Sequence, residues 1–416
     1  MQAVIAIPGS IALLSEQSVS DLLTRPIAGI PLLMRTLVTA SRSGADETLL
    51  ICPTGMSDKQ IHRFTQCAIQ RKIRIRVVRV RNFDPAARHS WASLKSYLRD
   101  FFLWLPWNWV TTKQYLIHLP QFAFSSVNWA KPAYTTTNEG IRADAPLPLP
   151  NIEGVAVTSP ETAALAERFL VAHSGKVLDG IHTSFNRRIC RPFVRLLSHT
   201  TITPNAITFG GVIVSIFSAI AFAHGSYWWY LLGALLFYIA GLFDEMDGMV
   251  ARVKFAESPR GTWLEGFADG LSYLLLFGGI TIGLSRQYGR AAILVGFALL
   301  IGALLAVITT SLQRRRATNP DCPQEYLGKF YQLLEKDSEN WISRVVRQIQ
   351  AFQKRGVVIH YIVLFTIIGA LPLLFLLATF GAHLTWILTL YFNRRFFSQP
   401  IQSGAKPNGN TLKEAS

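Results

Sequence analysis

The stretch GLFDEMDGMVARVKFAESPRGTWLEGFADG, residues 241–270, places carboxylates at the edge of a strongly apolar region. Up to the first carboxylate of this stretch, Asp244, residues 201–243 contain no Asp, Glu, Lys or Arg. A run of this kind is long enough for two membrane spans of about 20 residues each. Because a carboxylate near the bilayer centre costs about 2.5–3.5 kcal/mol, acidic residues at this place indicate a function.

The carboxylates form two pairs. Asp244 and Asp247 are three residues apart at the end of the second predicted span, and Glu265 and Asp269 are four apart at the start of the third. Each spacing places both side chains on one helix face. Because the intervening segment is short, the two helices are predicted to be antiparallel neighbours whose acidic groups converge at the cytoplasmic end.

Small residues accompany the acidic pairs. Gly248 and Ala251 follow Asp244 by four and seven positions, and Gly261 precedes Glu265 by four, which leaves room for a ligand near the backbone. Close carboxylates repel one another unless they are protonated or bridged by cations. Hard oxygen donors suit Mg²⁺ or Mn²⁺, which also coordinate phosphates. The pattern predicts metal-assisted chemistry on a phosphate or diphosphate.

The remaining apolar runs complete a membrane domain of about six helices over residues 201–398. The first two spans are separated by a predicted turn at Gly225 and Ser226, and a helix start is predicted at Thr203-Pro204. Further uncharged runs cover residues 270–285, 291–313 and 356–393. The last run is long enough for a hairpin, with a predicted turn near Gly381. The spacing Gly279-x3-Gly283 favours close helix packing.

The charge balance fits a membrane protein better than a nucleic-acid-binding one. The chain has 41 Lys and Arg against 25 Asp and Glu, a net charge of +16. Cytoplasmic loops facing anionic lipid carry such an excess. With the N-terminal domain in the cytosol, the opposite side receives only Arg286 and Arg290. The active site and the N-terminal domain are therefore expected on the cytoplasmic side. Four widely spaced cysteines argue against a disulfide framework or a zinc site.

Residues 1–170 have the pattern of a soluble α/β domain with a parallel sheet. The predicted strands are Ala3–Ile7, Thr48–Cys52, Ile73–Val80 and Tyr115–Leu119. A helix is predicted over Pro31–Ser43 with Gly44 as its cap, and a loop over residues 130–160.

Residues 176–200 are basic and amphipathic, and residues 399–416 are expected to form a flexible tail. In the first segment, arginines interleave with apolar residues such as Phe185 and Phe193. This pattern is typical of a helix in the bilayer interface, bent at Pro192. A solvated linker helix is the alternative.

The acidic segment resembles the signature of the CDP-alcohol phosphotransferases, D-x2-D-G-x2-A-R-x8-G-x3-D-x3-D. Seven of its eight positions match with the same spacing, and the resemblance extends over about residues 176–395 through DGIHTSFNRR and ITPNAIT. The eight positions of the pattern, called the acidic signature below, are Asp244, Asp247, Gly248, Ala251, Arg252, Gly261, Glu265 and Asp269, of which Glu265 is the mismatch. The family has six transmembrane helices and often dimerises. It transfers a substituted phosphate from a CDP-alcohol to an acceptor hydroxyl in lipid synthesis, releasing CMP.

The resemblance implies a role for each position. Asp244, Asp247, the residue at 265 and Asp269 would surround two divalent metals, and Asp269 would also act as the general base. The small residues at 248, 251 and 261 would accept the cytidine, with Arg252 nearby. Glu265 departs from the family aspartate and is about 1.5 Å longer, by one C–C bond. Metal binding can survive this change with altered geometry, or turnover can be lost.

The N-terminal domain resembles a sugar-nucleotide-type nucleotidyltransferase, on AVIAIPGS and residues 25–52. The glycine-rich basic loop of that family is PGSIALLSEQSVSD here, and its Lys-Pro is Arg25-Pro26. Pro120-Gln121 stands where a metal-binding aspartate is expected. The resemblance therefore implies a retained fold without cytidylyltransferase activity.

Further residues and alternative functions remain open at this point. Arg314-Arg315-Arg316 follow the fourth span and either bind a phosphate of the acceptor or donor, or anchor the cytoplasmic side. His360 and His383 are interpreted as packed residues. A cation transporter or a catalytically silent scaffold are the alternatives to an enzyme.

Overall fold

The protein is described by a computed structural model that covers residues 2–7, 19–81, 83–84, 90–91, 93–99, 102–117, 153–175, 181–317, 325–337, 340–349 and 355–396. The chain divides into two compact units. The first unit comprises Met1–Val177, Ile189–Pro204 and Met246–Ser258. The second unit comprises Leu178–Arg188, Asn205–Glu245 and Pro259–Ser416.

The first unit contains a four-stranded parallel sheet. Its elements in chain order are β1 (Gln2–Ala6), α1 (Val19–Thr24), β2 (Pro26–Ile27), β3 (Ile30–Pro31), α2 (Leu32–Arg42), β4 (Glu47–Pro53), α3 (Asp58–Gln70), β5 (Ile75–Val80), β6 (Phe102–Trp104), β7 (Trp109–Val110), α4 (Lys113–Ile117), β8 (Val155–Ala156) and α5 (Pro160–Ala172). The spatial order of the sheet is β5-β4-β1-β6, and each adjacent pair is parallel. The predicted parallel α/β domain is confirmed.

Both faces of β4, β1 and β6 are buried, which explains the nearly continuous apolar residues of these strands, whereas the edge strand β5 is partly exposed. Ile5 of β1 faces the main core cluster, to which α2 also contributes, whereas the next residue, Ala6, faces a second cluster. The second cluster is aromatic, with Trp91 and Trp104 rings 5.4 Å apart in an edge-on arrangement. The alternation of β1 thus divides the core into two layers.

The prediction of a strand over Tyr115–Leu119 is wrong. Residues up to Ile117 belong to the short helix α4, and residues 118–119 lie outside the described part. The place beside β1 is taken by β6, whose Phe102 pairs with Gln2. Within the predicted loop at 130–160, the described residues include the short strand β8, while residues 118–152 and the predicted tail at 399–416 lie outside the described ranges.

After α5, the described residues form a series of helices. The helices are α6 (Ile181–Ser198), α7 (Pro204–His224), α8 (Tyr227–Val253), α9 (Pro259–Tyr288), α10 (Arg290–Ala317), α11 (Glu325–Lys336), α12 (Trp341–Ile349), α13 (Arg355–Ile367) and α14 (Leu371–Phe396). In the described part, five of them, α7 to α10 and α14, are long and apolar enough to cross a membrane. A sixth apolar helix, Val357–Ile367 within α13, is shorter. This is a polytopic helical membrane protein.

Two turns between apolar helices contain a glycine whose backbone is in the left-handed conformation, with positive φ. Gly225 has φ +86° between α7 and α8, which confirms the predicted break. The turn predicted near Gly381 lies instead at Gly369, with φ +71°, while Gly381 is inside α14. Gly369 precedes Pro372 in the first turn of α14, and a proline there favours a helix start.

Close packing at Gly279 and Gly283 of α9 is confirmed in the second unit. A Cβ on Gly279 would lie 2.9 Å from Ala219 Cα and closer still to the Ala219 carbonyl oxygen. A Cβ on Gly283 would meet the Phe222 carbonyl oxygen. Helices α7 and α9 therefore touch through their backbones.

Two histidines are packed as predicted. His383 Nε2 donates to Ala298 O at 2.9 Å, and Trp386 Nε1 donates to His383 Nδ1 at 3.1 Å. The His360 ring lies 5.5 Å from Tyr238.

Residues 181–198 form the amphipathic helix α6, which contains Pro192. Phe185 and Leu196 are 56% and 68% exposed and stand among exposed arginines. The helix is confirmed, and its place in the bilayer interface stays a prediction.

Candidate functional site

The acidic signature spans the end of α8 and the start of α9. Asp244 and Asp247 lie in α8, and Glu265 and Asp269 lie in α9, with residues 254–258 between the helices. Both helices are unbroken through these positions. Each acidic pair therefore shares one helix face, as its spacing predicts.

The eight positions are distributed over the two units. The second unit holds Asp244, Gly261, Glu265 and Asp269, and the first holds Asp247, Gly248, Ala251 and Arg252.

Within the second unit, Asp244 interacts electrostatically with Tyr273. Tyr273 lies one helical turn beyond Asp269 on α9, and its ring is 5.8 Å from Phe237 of α8. Helices α8 and α9 therefore contact each other through Phe237 and Tyr273, one turn beyond Asp269.

The four carboxylates differ in their exposure. Asp247 is 4% exposed, whereas Asp244, Glu265 and Asp269 are half-buried. A buried carboxylate is stable only when other groups compensate its charge. The enclosed Asp247 is thus suited to a fixed role, and the three more open acids are accessible to a ligand.

The donor chemistry of these residues fits a divalent cation. Carboxylate oxygens are the ligands that Mg²⁺ and Mn²⁺ prefer. In the described ranges, no group of three or more acidic, histidine or cysteine side chains is arranged to hold a metal ion. The convergence of the carboxylates on a metal stays a prediction.

Arg252 is bound to the backbone of the first unit. Its Nε donates to the Ser174 carbonyl oxygen, beyond the end of α5. A Cβ on Gly248 would lie 3.2 Å from Arg252 Nη2. The guanidinium therefore lies against the Gly248 backbone, where a side chain at position 248 would crowd it, a contact that the sequence did not reveal.

A second polar cluster in the membrane unit was not predicted. The fully buried Asn186 accepts a hydrogen bond from Tyr238 OH at 3.1 Å, and its Nδ2 has no partner among the described residues. Arg187 Nε lies 3.4 Å from Glu245, next to Asp244 in α8. The segment DGIHTSFNRR contained the signal, since Asn186 and Arg187 stand in it.

The other predicted site residues lie wholly or partly outside the described part of the chain. Arg314, Arg315 and Arg316 lie in the last turns of α10, and their side chains are outside the described part. Of the N-terminal nucleotide site, Arg25-Pro26 lies at the start of β2, whereas residues 8–18 and Pro120-Gln121 lie outside it.

Comparison with known proteins identifies the class of the second half of the chain. Residues 201–391 match the family model described as CDP-alcohol phosphatidyltransferase. The second half of the chain is therefore similar to a CDP-alcohol phosphatidyltransferase domain, a family that uses a CDP-alcohol donor and an alcohol acceptor in a membrane setting.

Two curated relatives carry the same description, "Bifunctional IPC transferase and DIPP synthase". The protein from Aquifex aeolicus (strain VF5) is 25% identical over 252 residues, covering 59% of this chain and 53% of the relative. The protein from Rubrobacter xylanophilus is 29% identical over 173 residues, covering 41% of this chain and 38% of the relative. The chain thus spans about half the length of these relatives, or less.

Proposed function

We propose that the protein transfers a substituted phosphate from a CDP-alcohol to an acceptor hydroxyl and releases CMP. The acidic signature carries this proposal, because seven of its eight positions have the family spacing and all lie in the matched region. The ring contact between Phe237 of α8 and Tyr273 of α9 supports the proposal that the acidic faces of the two helices are neighbours.

Asp269 is the proposed general base. Its half-buried carboxylate takes the proton of the acceptor hydroxyl while the oxygen attacks the β-phosphorus in line. The bond from the β-phosphorus to the bridging oxygen breaks, and CMP leaves with the electron pair. Because Asp269 and Glu265 share one helix face, the base lies beside the phosphate-binding acids.

Asp244, Asp247, Glu265 and Asp269 would hold divalent cations, which when bound would neutralise charge on the diphosphate oxygens. Glu265 keeps the charge and the oxygen donors of the aspartate that the family pattern has at this position. The buried Asp247 would fix the orientation of the diphosphate side.

The small residues Gly248, Ala251 and Gly261 would admit the cytidine to the backbone. Arg252 would lie at the edge of this surface, held there through Ser174. Arg314 and Arg315 are proposed to contact a phosphate of the acceptor from the end of α10.

The bifunctional description of the relatives fits a chain with two units. We propose that only the transmembrane domain of this chain, residues 201–398, is catalytic, since PGSIALLSEQSVSD lacks the repeated glycines and the basic residue that a triphosphate-binding loop needs. The acceptor is then an alcohol of the kind used in IPC or DIPP chemistry, or another polar-lipid alcohol. A homodimer with both the N-terminal domain and the site on the cytoplasmic side is part of this proposal.

The test is CMP release by the purified full chain in lipid, with a CDP-alcohol donor, a panel of acceptor alcohols and Mg²⁺ or Mn²⁺. We expect release that EDTA abolishes, and a loss of about 10²–10⁴-fold in Asp269→Asn, the range for a positioned base. Asp58→Asn, an exposed acid of α3, is the control. Absence of CMP release with every acceptor would favour a silent scaffold, and nucleotide-independent ion flux in vesicles would favour a transporter.

A further inference from the structure

The segment between the two signature helices is held by the α/β part of the first unit. We call residues 252–257, RVKFAE, the signature junction. It contains the end of α8 and most of the link to α9, and it lies within the first unit. Two arginines of α2, from the other end of the sequence, bind its backbone.

Arg35 is the deeper of these two arginines. It is 1% exposed, and its Nη2 donates to Val253 O, at the end of α8, at 3.0 Å. Its Nε donates to Ile27 O at 3.1 Å. Burial lowers the pKa of Arg35 to about 9, and Glu167 partly opposes this. A cation at the carbonyl end of a helix is favourable, so this buried charge ties the β2–β3 hairpin to α8.

Arg42 binds the next turn of the junction. Its Nη2 donates to Phe255 O at 2.5 Å, and its Nη1 lies 3.0 Å from Glu257 Oε2. Lys113 Nζ binds the same carboxylate at 2.9 Å. The Phe255 ring has both guanidinium carbons, of Arg35 and Arg42, about 5 Å from its centroid (5.1 and 5.2 Å), a cation–π arrangement. Phe255 has φ +53°, so its backbone is strained and depends on these contacts.

Two further residues complete the attachment. Arg252 donates to Ser174 O, and Lys254 Nζ donates to Thr200 O at 2.7 Å and Ile202 O at 2.9 Å. Burial lowers the pKa of Lys254. Almost every residue of the junction is thus fixed by a partner outside α8 and α9.

We propose that the α/β part of the first unit is a positioning scaffold for the signature residues that lie in that unit, Asp247 to Arg252, with Arg35 and Arg42 as positioning residues. This inference rests on the proposed function. Asp247 and Arg252 occupy the last two turns of α8, immediately before the two carbonyl groups that the arginines hold. Fixing Val253 and Phe255 fixes the rotation of α8 about its axis and therefore the direction of the Asp247 carboxylate. The domain then contributes to turnover without a nucleotide site of its own.

The test compares Arg42→Ala with Arg79→Ala in the full chain. Arg42 is the practical choice because its side chain is about one-third exposed, at 31%, so the variant retains its core. Arg79 is a control on the same domain, in an exposed pair with Asp58. We expect Arg42→Ala to lower kcat by about 10–100-fold, the cost of a misplacement of about 1 Å, with KM for the CDP-alcohol nearly unchanged. Arg42→Lys is expected to restore part of kcat, since it keeps one donor and the charge.

A second measurement separates this proposal from the proposed function. Hydrogen exchange of peptides covering residues 246–258 is expected to rise in Arg42→Ala and to stay at the wild-type level in Arg79→Ala. If the wild-type protein releases no CMP but hydrogen exchange still rises in Arg42→Ala, the proposed function is refuted and the attachment of the junction is retained. Normal CMP release with unchanged kcat in Arg42→Ala, or a lower melting temperature with unchanged kcat, would refute the positioning role.

Discussion

Replacing Gly279 by alanine tests the backbone contact between α7 and α9. The new Cβ would lie 2.9 Å from Ala219 Cα and 3.0 Å from Ala219 C, whereas carbon atoms at optimal separation are about 3.5–4.0 Å apart. The two helices must therefore separate by about 0.5–1 Å at this point. Overpacking of this kind costs about 1–3 kcal/mol, and for a unit of this size each kcal/mol lowers the melting temperature by about 2–4 °C.

Gly278→Ala is the matched control, because a Cβ at the neighbouring position has no heavy atom within 4 Å. It gains helix propensity of up to about 1 kcal/mol and no clash. The assay is thermal unfolding of both variants in the same detergent, followed by fluorescence-detected size exclusion. We expect a clear loss for Gly279→Ala and none for Gly278→Ala. If both variants melt at the wild-type temperature, the packing argument is refuted. If both melt lower by the same amount, α9 tolerates no substitution in this region and the specific contact at Gly279 is also refuted.

Three further predictions concern the candidate site, the core of the α/β part and the ion pair beside the short helices α11 and α12. Glu265→Asp is expected to keep or raise CMP release and Glu265→Ala to lower it at least about 10-fold; equal release from all three proteins would exclude a metal-ligand role. Burial raises the pKa of the Cys52 thiol to about 12, so a maleimide at about pH 7.5 should label the half-buried Cys67 and leave Cys52 unlabelled until the protein unfolds. Hydrogen bonds from Arg395 and then Ser343 lower the pKa of Asp337 to about 2. Since the folded value lies below the ordinary one of about 3.9, this contribution to stability is present above about pH 4 and is lost as pH falls towards 2. Asp337→Asn should therefore lower the melting temperature at about pH 5 and have little effect near pH 2, and a constant difference would contradict this.

The helical membrane part was predictable because its signals are local. Charge-free runs define the spans, and Gly225 and Pro204 mark their ends. The turn at Gly369 was misplaced because two glycines, Gly369 and Gly381, stand in one apolar run. The two glycines differ only in that a proline, Pro372, follows Gly369. Whether such a proline starts a new helix depends on how the two helices pack, which the local sequence does not show.

The α/β part was predictable in its class but less in its pairing. Strands β1, β4 and β5 have the β-branched composition that predicts them, while β6 is an aromatic segment that becomes a strand by pairing with β1. The segment that begins at Tyr115 has the composition of a strand, but Tyr115 lies in the short helix α4. Partners in a parallel sheet are far apart in sequence, and a window of local composition does not contain them.

The acidic signature was predictable from spacing alone, but its surroundings were not. The pairs on α8 and α9 follow from the helical period. The burial of Arg35 does not, because its acceptor at Val253 is 218 residues away in the chain and an isolated arginine in an apolar helix has no local mark of burial. The same holds for Asn186, which is fully buried against Tyr238.

The fit of Gly29 has a practical consequence for shortening this chain. With φ +77° and Ser198 O only 2.5 Å from where a Cβ would be, the β2–β3 hairpin closes over the end of α6. Removing the N-terminal 175 residues would therefore expose the last carbonyl groups of α6 and of α8. It would also remove Glu167, the acidic partner of Arg195 and His199. A shortened protein that keeps only the membrane helices is therefore expected to give a poor yield of folded protein.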